Sequence, residues 1–145
     1  YIPAERWREH VFGYTCMNDV SARDVQMATT QWYMGKSFDT FAPIGPWVVT
    51  ADEIPEPHEL DISLTLNGEV MQSSNTRNLI FGIPQLIEYL SSVFTLEPGD
   101  VVATGTPAGV GFVRKPPRLL RPGDEVVMTI QGIGELRNPV VAEAD

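Results

Sequence analysis

The chain has 145 residues, with 19 Asp and Glu against 10 Lys and Arg, which gives a net charge of −9 at pH 7. This balance argues against nucleic acid and anionic membrane surfaces as partners, because both need a basic footprint on the protein. No apolar run approaches the roughly 18 residues that cross a bilayer. A small anionic ligand fits so acidic a chain only where a metal ion or converging Lys and Arg side chains reverse the local field.

Cys16 is the only cysteine and lies in an apolar stretch, so it is predicted to be a buried structural thiol. A chain that cannot form an intrachain disulfide suits a reducing compartment. We therefore expect a cytoplasmic location, or the mitochondrial matrix if the source is eukaryotic.

Three local patterns guide the predicted secondary structure. Ser21 and Asp24 approximate a capping box, so Ser21 is a candidate helix N-cap. Asn67-Gly68 is a hairpin signal, and apolar residues recur at helical spacing over 83–94. The predicted elements, in chain order, are a short helix or turn at 1–10, a strand at 11–20, a helix over about 22–29, an ordered loop at 31–46, a strand at 47–50, a solvated acidic loop at 51–60, a hairpin from 61–67 to 70–72, the helix at 83–94, and strands at 101–104, 125–131 and 135–142.

Two Pro-Gly-Asp turns, at 98–100 and 122–124, each lead into a Val-Val strand. This pattern favours a roll-like or barrel-like β architecture. No shift in composition divides the chain, so we expect one domain over residues 1–145.

Asp19 ends the predicted strand at 11–20, just before the predicted helix. A carboxylate beside apolar surroundings needs a compensating cation or several hydrogen-bond donors, as a ligand or metal site would provide. An Asp in front of a helix also commonly caps it or steadies the turn. From this segment alone, the structural role is favoured.

Lys36 lies between Gly35 and small or aromatic residues rather than in a charged run. A lysine held in such a partly dry place could stabilise a developing oxyanion. The alternative is a surface lysine whose stem covers Phe38. These residues alone leave both interpretations open.

The glycine-rich segment TGTPAGVG at 104–111 could bind a carboxylate or oxyanion through successive backbone amides. It is neither a Walker loop nor a dinucleotide fingerprint, because Gly-Lys-Ser/Thr is missing and Pro107 interrupts the strand–loop–helix unit. A tight β-connection is the alternative. The two histidines, His10 and His58, lack the motif of a catalytic triad, and His58 is expected to be solvated.

Several motifs, met in this order along the chain, resemble the fumarylacetoacetate hydrolase (FAH) family. The likeness covers nearly all of the chain from about residue 11. The motifs are GYTCMNDVSARDVQ at 13–26, GKSFDTFAPIGP at 35–46, NGE at 67–69 with QSSNT at 72–76, EPGDVVATGTPAGVG at 97–111, and FVRKPPRLLRPGD at 112–124.

The resemblance implies an α+β, predominantly β fold, a mixed β-sandwich or roll of the FAH type with few short helices. It also implies a homodimer with Mg²⁺, or Mn²⁺ or Ca²⁺, in the site. By the same resemblance, Asp19 matches a metal carboxylate and Lys36 matches the catalytic lysine. Gln26 and Thr106 match substrate-binding positions, and Gly105 belongs to the same substrate loop.

Two further positions take roles from the resemblance. Thr40 matches a position associated with metal or lysine support in some members. Arg23 is assigned a structural role in orienting the turn that precedes it.

The activity that the resemblance implies is divalent-metal-dependent chemistry on small anionic 2-oxo or 1,3-dicarbonyl acids through a metal-bound enolate. A hard cation can chelate two oxygens of such acids and act as a Lewis acid. The first prediction is C–C bond hydrolysis of the fumarylacetoacetate or acylpyruvate type. The alternatives are an oxaloacetate-type decarboxylase, a keto–enol isomerase or tautomerase of the 2-hydroxyhepta-2,4-diene-1,7-dioate isomerase type, and a catalytically inactive binding or scaffold homologue.

The chain departs from the family in its metal ligands. The family's other two ligands form a Glu-Xaa-Glu pair upstream of the strand at 11–20, whereas Glu5 and Glu9 have the wrong spacing for that pair. The family's lid, with the His and Glu that activate water, also lies upstream. We therefore expect residues 1–145 to be a catalytic domain that lacks its N-terminal portion and is incomplete alone.

Overall fold

The computed structural model describes residues 1–143, which form two antiparallel β-sheets. The smaller sheet pairs two strands, β1 (Gly13–Met17) and β2 (Ile44–Thr50). The larger sheet has four strands, which are β3 (Asp61–Leu66), β4 (Glu69–Asn75), β5 (Glu125–Ile130) and β6 (Gly134–Pro139). Their order across the sheet is β4-β3-β5-β6.

The helices are short, and this confirms the predicted α+β fold with few short helices. The α-helices are α1 (Arg23–Ala28) and α2 (Ile83–Val93). Over residues 1–143, none of the helices has the length and apolar character that crossing a membrane requires. The 3₁₀ helices are Ala4–His10, Trp32–Lys36, Thr76–Asn78 and Gly111–Val113.

One apolar core joins the two sheets. Cys16 of β1 is fully buried among side chains of the larger sheet, including Met128, Ile130 and Leu136. Burial raises the pKa of the Cys16 thiol, which keeps it protonated and unreactive. The predicted structural thiol is therefore buried as expected, and it anchors β1 on the larger sheet.

The hairpin and the long helix are confirmed. Asn67 and Gly68 have φ values of 52° and 83°, the left-handed conformation that a two-residue hairpin turn requires. Inside this hairpin, Leu64 pairs with Gln72 while Thr65 pairs with Val70. The residue between them on β4 is therefore the extra residue of a β-bulge. The sequence carries no signal for this bulge.

Two predictions about local structure are wrong. His58 is half-buried rather than solvated, since its Nε2 accepts a hydrogen bond of 3.0 Å from the Ile83 backbone N–H and its ring packs edge-on against Trp7. It thereby satisfies one of the orphan donors at the start of α2. Residues 101–104 form no strand and pair with neither of the two sheets of residues 1–143.

The strand predicted at 47–50 begins earlier, at Ile44, and so shortens the loop predicted at 31–46. Ile44 pairs with Met17 and Gly45 pairs with Cys16. This pairing with β1 extends the strand through Pro46, where a propensity argument expects a loop.

Each of the two Pro-Gly-Asp turns is closed by the carboxylate of its own aspartate. Asp100 Oδ2 accepts from the Glu97 N–H and Asp124 Oδ2 accepts from the Arg121 N–H, each at 2.8 Å. Asp124 also accepts from the Arg118 guanidinium at 2.8 Å and from the Asn67 amide at 2.7 Å. These donors, Arg118 foremost, lower the pKa of Asp124 to about 2.

We predict that Asp124→Asn lowers stability at neutral pH and that its difference from wild type shrinks as the pH falls from about 4 to about 2. The folded pKa of this carboxyl is depressed, so its stabilisation is complete above its unfolded pKa of about 3.9 and is lost as the folded carboxylate protonates. Urea unfolding of both proteins across this pH range measures the difference. Asp100→Asn is the matched control, and a difference that stays constant with pH would contradict the prediction.

Candidate active site

The ammonium of Lys36 contacts the carboxylate of Asp19. The distance from Nζ to Oδ2 is 2.5 Å, although the residues are 17 positions apart in sequence. Asp19 follows the end of β1, and Lys36 is the last residue of the 3₁₀ helix Trp32–Lys36. The side chains are 29% exposed for Lys36 and 44% exposed for Asp19. The two residues that the family resemblance assigns to a metal carboxylate and to the catalytic lysine are thus in contact, and both side chains are partly exposed.

Ser21 directs Lys36 instead of capping a helix, so its prediction as an N-cap is wrong. Its hydroxyl oxygen accepts from Lys36 Nζ at 3.0 Å and donates to the Asp19 carbonyl at 3.3 Å. The N-cap of α1 is Ala22, which gives no side-chain cap. The sequence alone gives no sign of this role, because the capping pattern and the lysine contact use the same hydroxyl.

Gly35 lets the lysine-bearing 3₁₀ helix pack closely against α1. A Cβ at this position would lie 2.7 Å from Gln26 Cβ and 2.8 Å from the Gln26 backbone nitrogen. The Gly35 carbonyl also accepts from the Ala22 N–H at 2.8 Å. This close packing carries Lys36 to within reach of Asp19.

Gln26 is buried next to Gly35, with 4% of its surface exposed. Its Oε1 accepts from the Arg23 guanidinium at 2.6 Å. The same guanidinium lies over the Phe112 ring, 5.5 Å from its centroid. Arg23 therefore connects α1 to the 3₁₀ helix Gly111–Val113, which follows the glycine-rich segment. The sequence had indicated only that Arg23 supports its own turn.

The glycine-rich segment lies against the bulge of β4. A Cβ on Gly109 would come within 2.0 Å of the Met71 carbonyl oxygen, and the φ of Gly109 is +108°. Arg114 donates to the Met71 carbonyl at 2.7 Å and to the Gly109 carbonyl at 3.2 Å. Only glycine permits this approach, and the arginine then clamps the segment to the sheet.

Thr106 and Gly105 lie on the exposed part of this segment. Thr106 Oγ1 accepts from the Gln72 amide at 3.0 Å, and Gly105 has a φ of +127°. In the sequence, Gln72 is part of the motif QSSNT at 72–76, and no separate role was predicted for it. Both Thr106 and Gly105 are open to a ligand, and their substrate-binding roles stay predictions.

Thr40 occupies a strained turn close in sequence to Lys36. Its φ of +67° is in the left-handed region, which a β-branched residue rarely adopts. The turn is closed by a hydrogen bond of 3.0 Å from the Phe41 N–H to the Phe38 carbonyl. The predicted support of a metal or of the lysine by Thr40 stays a prediction.

Residues 1–143 offer no group of three or more His, Cys, Asp or Glu side chains arranged to hold a metal ion. Within this part of the chain, Asp19 is the carboxylate that lies beside Lys36. It suits a hard divalent cation through its oxygen, as one ligand of a larger set.

The family model described as fumarylacetoacetate (FAA) hydrolase C-terminal matches residues 1–141 of this chain. The chain belongs to the fumarylacetoacetate hydrolase family. The predicted family and its fold are therefore confirmed.

Three relatives illustrate what this family includes. The oxaloacetate tautomerase FAHD2A, mitochondrial, of Bos taurus is 51% identical over 143 residues, which are 97% of this chain and 46% of that protein. The structure of a 5-carboxymethyl-2-hydroxymuconate delta-isomerase from Mycobacterium smegmatis is 46% identical, with a TM-score of 0.89 over 99% of this chain and 53% of that one. The structure of a maleylpyruvate hydrolase from Sphingobium sp. SYK-6, in complex with manganese (II) ion and pyruvate, is 40% identical, with a TM-score of 0.84 over 97% of this chain and 48% of that one.

The chain thus spans about half the length of the relatives it matches. All three are named as enzymes, and their reactions differ. Membership of the fumarylacetoacetate hydrolase family therefore identifies the fold but does not by itself identify the reaction.

We predict that Gly35→Ala destabilises this family member by about 1–3 kcal/mol, the usual cost of overpacking. The added methyl would meet the backbone of α1, which cannot move aside as a flexible side chain can. Urea unfolding measures the loss. Met34→Ala, at an adjacent position with 66% exposure, is the control and should change stability by much less. Equal stabilities of Gly35→Ala and wild type would contradict the packing described.

Proposed function

We propose that the protein containing this chain is a divalent-metal-dependent enzyme that acts on small 2-oxo acids through their enolate forms. The reaction we favour is keto–enol tautomerisation of an oxaloacetate-type acid. The contact between Lys36 and Asp19 carries the proposal, because it puts a cation and a metal-type ligand at one accessible surface. The 51% identity to a protein named as an oxaloacetate tautomerase supports this choice of reaction.

Lys36 would stabilise the negative charge that develops on the substrate oxygen. Tautomerisation removes a proton from the carbon next to the keto group, and the charge moves onto the oxygen. A preorganised ammonium beside that oxygen lowers the barrier, and more so where the side chain is partly shielded from water. Ser21 and Asp19 fix the direction of this ammonium in the absence of substrate.

Asp19 would serve as one ligand of a divalent cation such as Mg²⁺ or Mn²⁺. Its carboxylate is of the oxygen type that these cations prefer, and a relative's structure holds manganese (II) together with pyruvate. When bound, the cation would supply Lewis-acid polarisation of the 2-oxo acid oxygens. We propose that the remaining protein ligands lie outside residues 1–143 and that this chain forms only part of the catalytic domain.

Thr106 and Gly105 would bind the substrate carboxylate. Both lie on the exposed part of the glycine-rich segment, where a hydroxyl and backbone amides can donate to an anion. Gln26 would support the site from its buried position next to Gly35, with its amide held by Arg23. A chain with a net charge of −9 can bind an anion here because the lysine and the cation dominate the local field.

The second candidate reaction is C–C bond hydrolysis of an acylpyruvate-type acid. It is favoured by the 40% identity to a maleylpyruvate hydrolase over nearly the whole chain. The two reactions are told apart by their products, since tautomerisation interconverts the keto and enol forms of one compound and hydrolysis yields two acids.

We further propose that the protein is a homodimer. We propose that it is located in the cytoplasm or in mitochondria, the location that the name of the bovine relative gives for that protein.

We predict that Lys36→Met lowers kcat of the complete gene product by on the order of 10² or more, as the loss of one oxyanion-stabilising group does. The assay follows the enol absorbance of oxaloacetate and the products from acylpyruvates in the presence of Mg²⁺. Lys115→Met is the matched control, because Lys36 and Lys115 are the two lysines of the chain. Wild-type turnover in Lys36→Met would refute the assigned role, and a wild-type protein inactive on every such acid would favour the scaffold alternative.

We also predict that Asp19→Asn weakens Mn²⁺ binding by about tenfold or more, since it replaces a charged oxygen ligand with a neutral one. Isothermal titration calorimetry on the metal-free complete gene product measures this affinity directly. In a separate assay, removal of the divalent cation by a chelator should abolish turnover. Asp39→Asn, which removes an exposed carboxylate three residues after Lys36, should bind Mn²⁺ as wild type does. Unchanged affinity in Asp19→Asn would exclude Asp19 as a ligand.

A further inference from the structure

Gln72 is a polar side chain buried in β4 beneath the glycine-rich segment. It is 9% exposed, and its amide nitrogen makes two hydrogen bonds. One is to the Pro107 carbonyl oxygen at 2.7 Å, and the other is to Thr106 Oγ1 at 3.0 Å. Both partners lie in the segment that carries the proposed substrate-binding hydroxyl.

The chemistry of these partners fixes the direction of each bond. The Pro107 carbonyl can only accept, so the Gln72 atom that faces it must be the amide nitrogen rather than the oxygen. That nitrogen has a second hydrogen, which points to Thr106 Oγ1. The threonine hydroxyl is therefore an acceptor toward Gln72 and keeps its own proton for another partner.

The bulge in β4 provides the geometry for this arrangement. Met71 is its extra residue, because Thr65 pairs with Val70 and Leu64 with Gln72. Bulges commonly redirect a side chain next to a functional site. Met71 and Gln72 are consecutive and both buried. The Met71 carbonyl accepts a hydrogen bond from Arg114, while the Gln72 amide donates one to the Pro107 carbonyl.

We propose that Gln72 is a positioning residue that turns the Thr106 hydroxyl proton toward the carboxylate of the bound 2-oxo acid. A carboxylate only accepts hydrogen bonds, so it is the complement of a hydroxyl whose lone pair is already occupied. Gln72 itself does not touch the substrate in this arrangement. The inference rests on the proposed function and deepens it by assigning how the substrate anion is recognised.

A purely structural role for Gln72 makes a different prediction. If Gln72 served only to hold the segment through the Pro107 carbonyl, its loss would weaken ligand binding whether or not residue 106 carried a hydroxyl. If Gln72 acts through the hydroxyl proton of Thr106, the loss of Gln72 does not weaken ligand binding further in a variant that already lacks this hydroxyl. A double-mutant cycle separates these two roles.

The test measures the affinity of oxalate, an unreactive analogue of a 2-oxo acid enolate, for the Mn²⁺-loaded complete gene product by calorimetry. Thr106→Val is expected to weaken binding about tenfold, the usual effect of losing a hydrogen bond to a charged group. Thr106→Ser, which keeps the hydroxyl, should bind within about threefold of wild type. Gln72→Met should weaken binding at least about threefold, and adding it to Thr106→Val should cause no further loss.

Gln85→Met, which changes an exposed amide on α2, is the control and should bind as wild type does. Thermal unfolding verifies that each variant is folded. If Gln72→Met does not fold, Gln72→Leu replaces it, because its side chain is also neutral and also lacks the donating amide. Its loss of affinity should likewise vanish in the Thr106→Val background.

The inference would be overturned if Gln72→Met lowered oxalate affinity equally in the wild-type and Thr106→Val backgrounds. It would also be overturned if the Gln72 variants bound oxalate as wild type does. If Lys36→Met loses turnover and Thr106→Val weakens oxalate binding while the Gln72 variants bind oxalate normally, the proposed function stands and this inference fails. If the wild-type protein neither binds oxalate nor turns over a 2-oxo acid, the proposed function fails and the inference fails with it.

Discussion

The contact between the Lys36 ammonium and the Asp19 carboxylate is the interaction on which the site depends. A lysine that ends a 3₁₀ helix meets an aspartate that follows a strand, and the two come from separate segments of the chain. The contact requires the close packing that Gly35 permits against α1. It also requires β1 to be fixed, which the burial of Cys16 against the larger sheet ensures. An ammonium is thereby held beside a carboxylate on the surface of an acidic chain.

The two sheets supply the two sides of the proposed site. The smaller sheet holds Asp19, while the larger sheet holds the glycine-rich segment through the close approach of Gly109 to Met71. Arg23 links the sides, since its guanidinium binds the Gln26 amide and lies over the Phe112 ring. Asp19 and Thr106 are thus each held by a segment that is attached to a β-sheet. This arrangement suits a reaction in which positioned charges stabilise an enolate.

Local signals predicted much of this structure, and long-range partners decided the rest. The hairpin at Asn67-Gly68 and the helix Ile83–Val93 follow from turn chemistry and apolar spacing, which depend on near neighbours. Two of the misread residues have partners that are distant in sequence. Ser21 has its hydroxyl bound by Lys36, and His58 accepts from the start of α2. Family motifs indicated Asp19 and Lys36, but no pattern in the sequence could show the bulge in β4, which is a property of strand pairing.

The central claim is that Asp19 and Lys36 serve one site, the first binding the metal and the second facing the substrate oxyanion. Anomalous diffraction at the manganese edge, from crystals of the complete gene product grown with Mn²⁺ and oxalate, tests it most directly. The account predicts an anomalous peak at direct-coordination distance from an Asp19 oxygen, with oxalate on the metal and the Lys36 ammonium hydrogen-bonded to an oxalate oxygen. A manganese peak remote from Asp19, or oxalate bound with Lys36 turned away from it, would contradict the account.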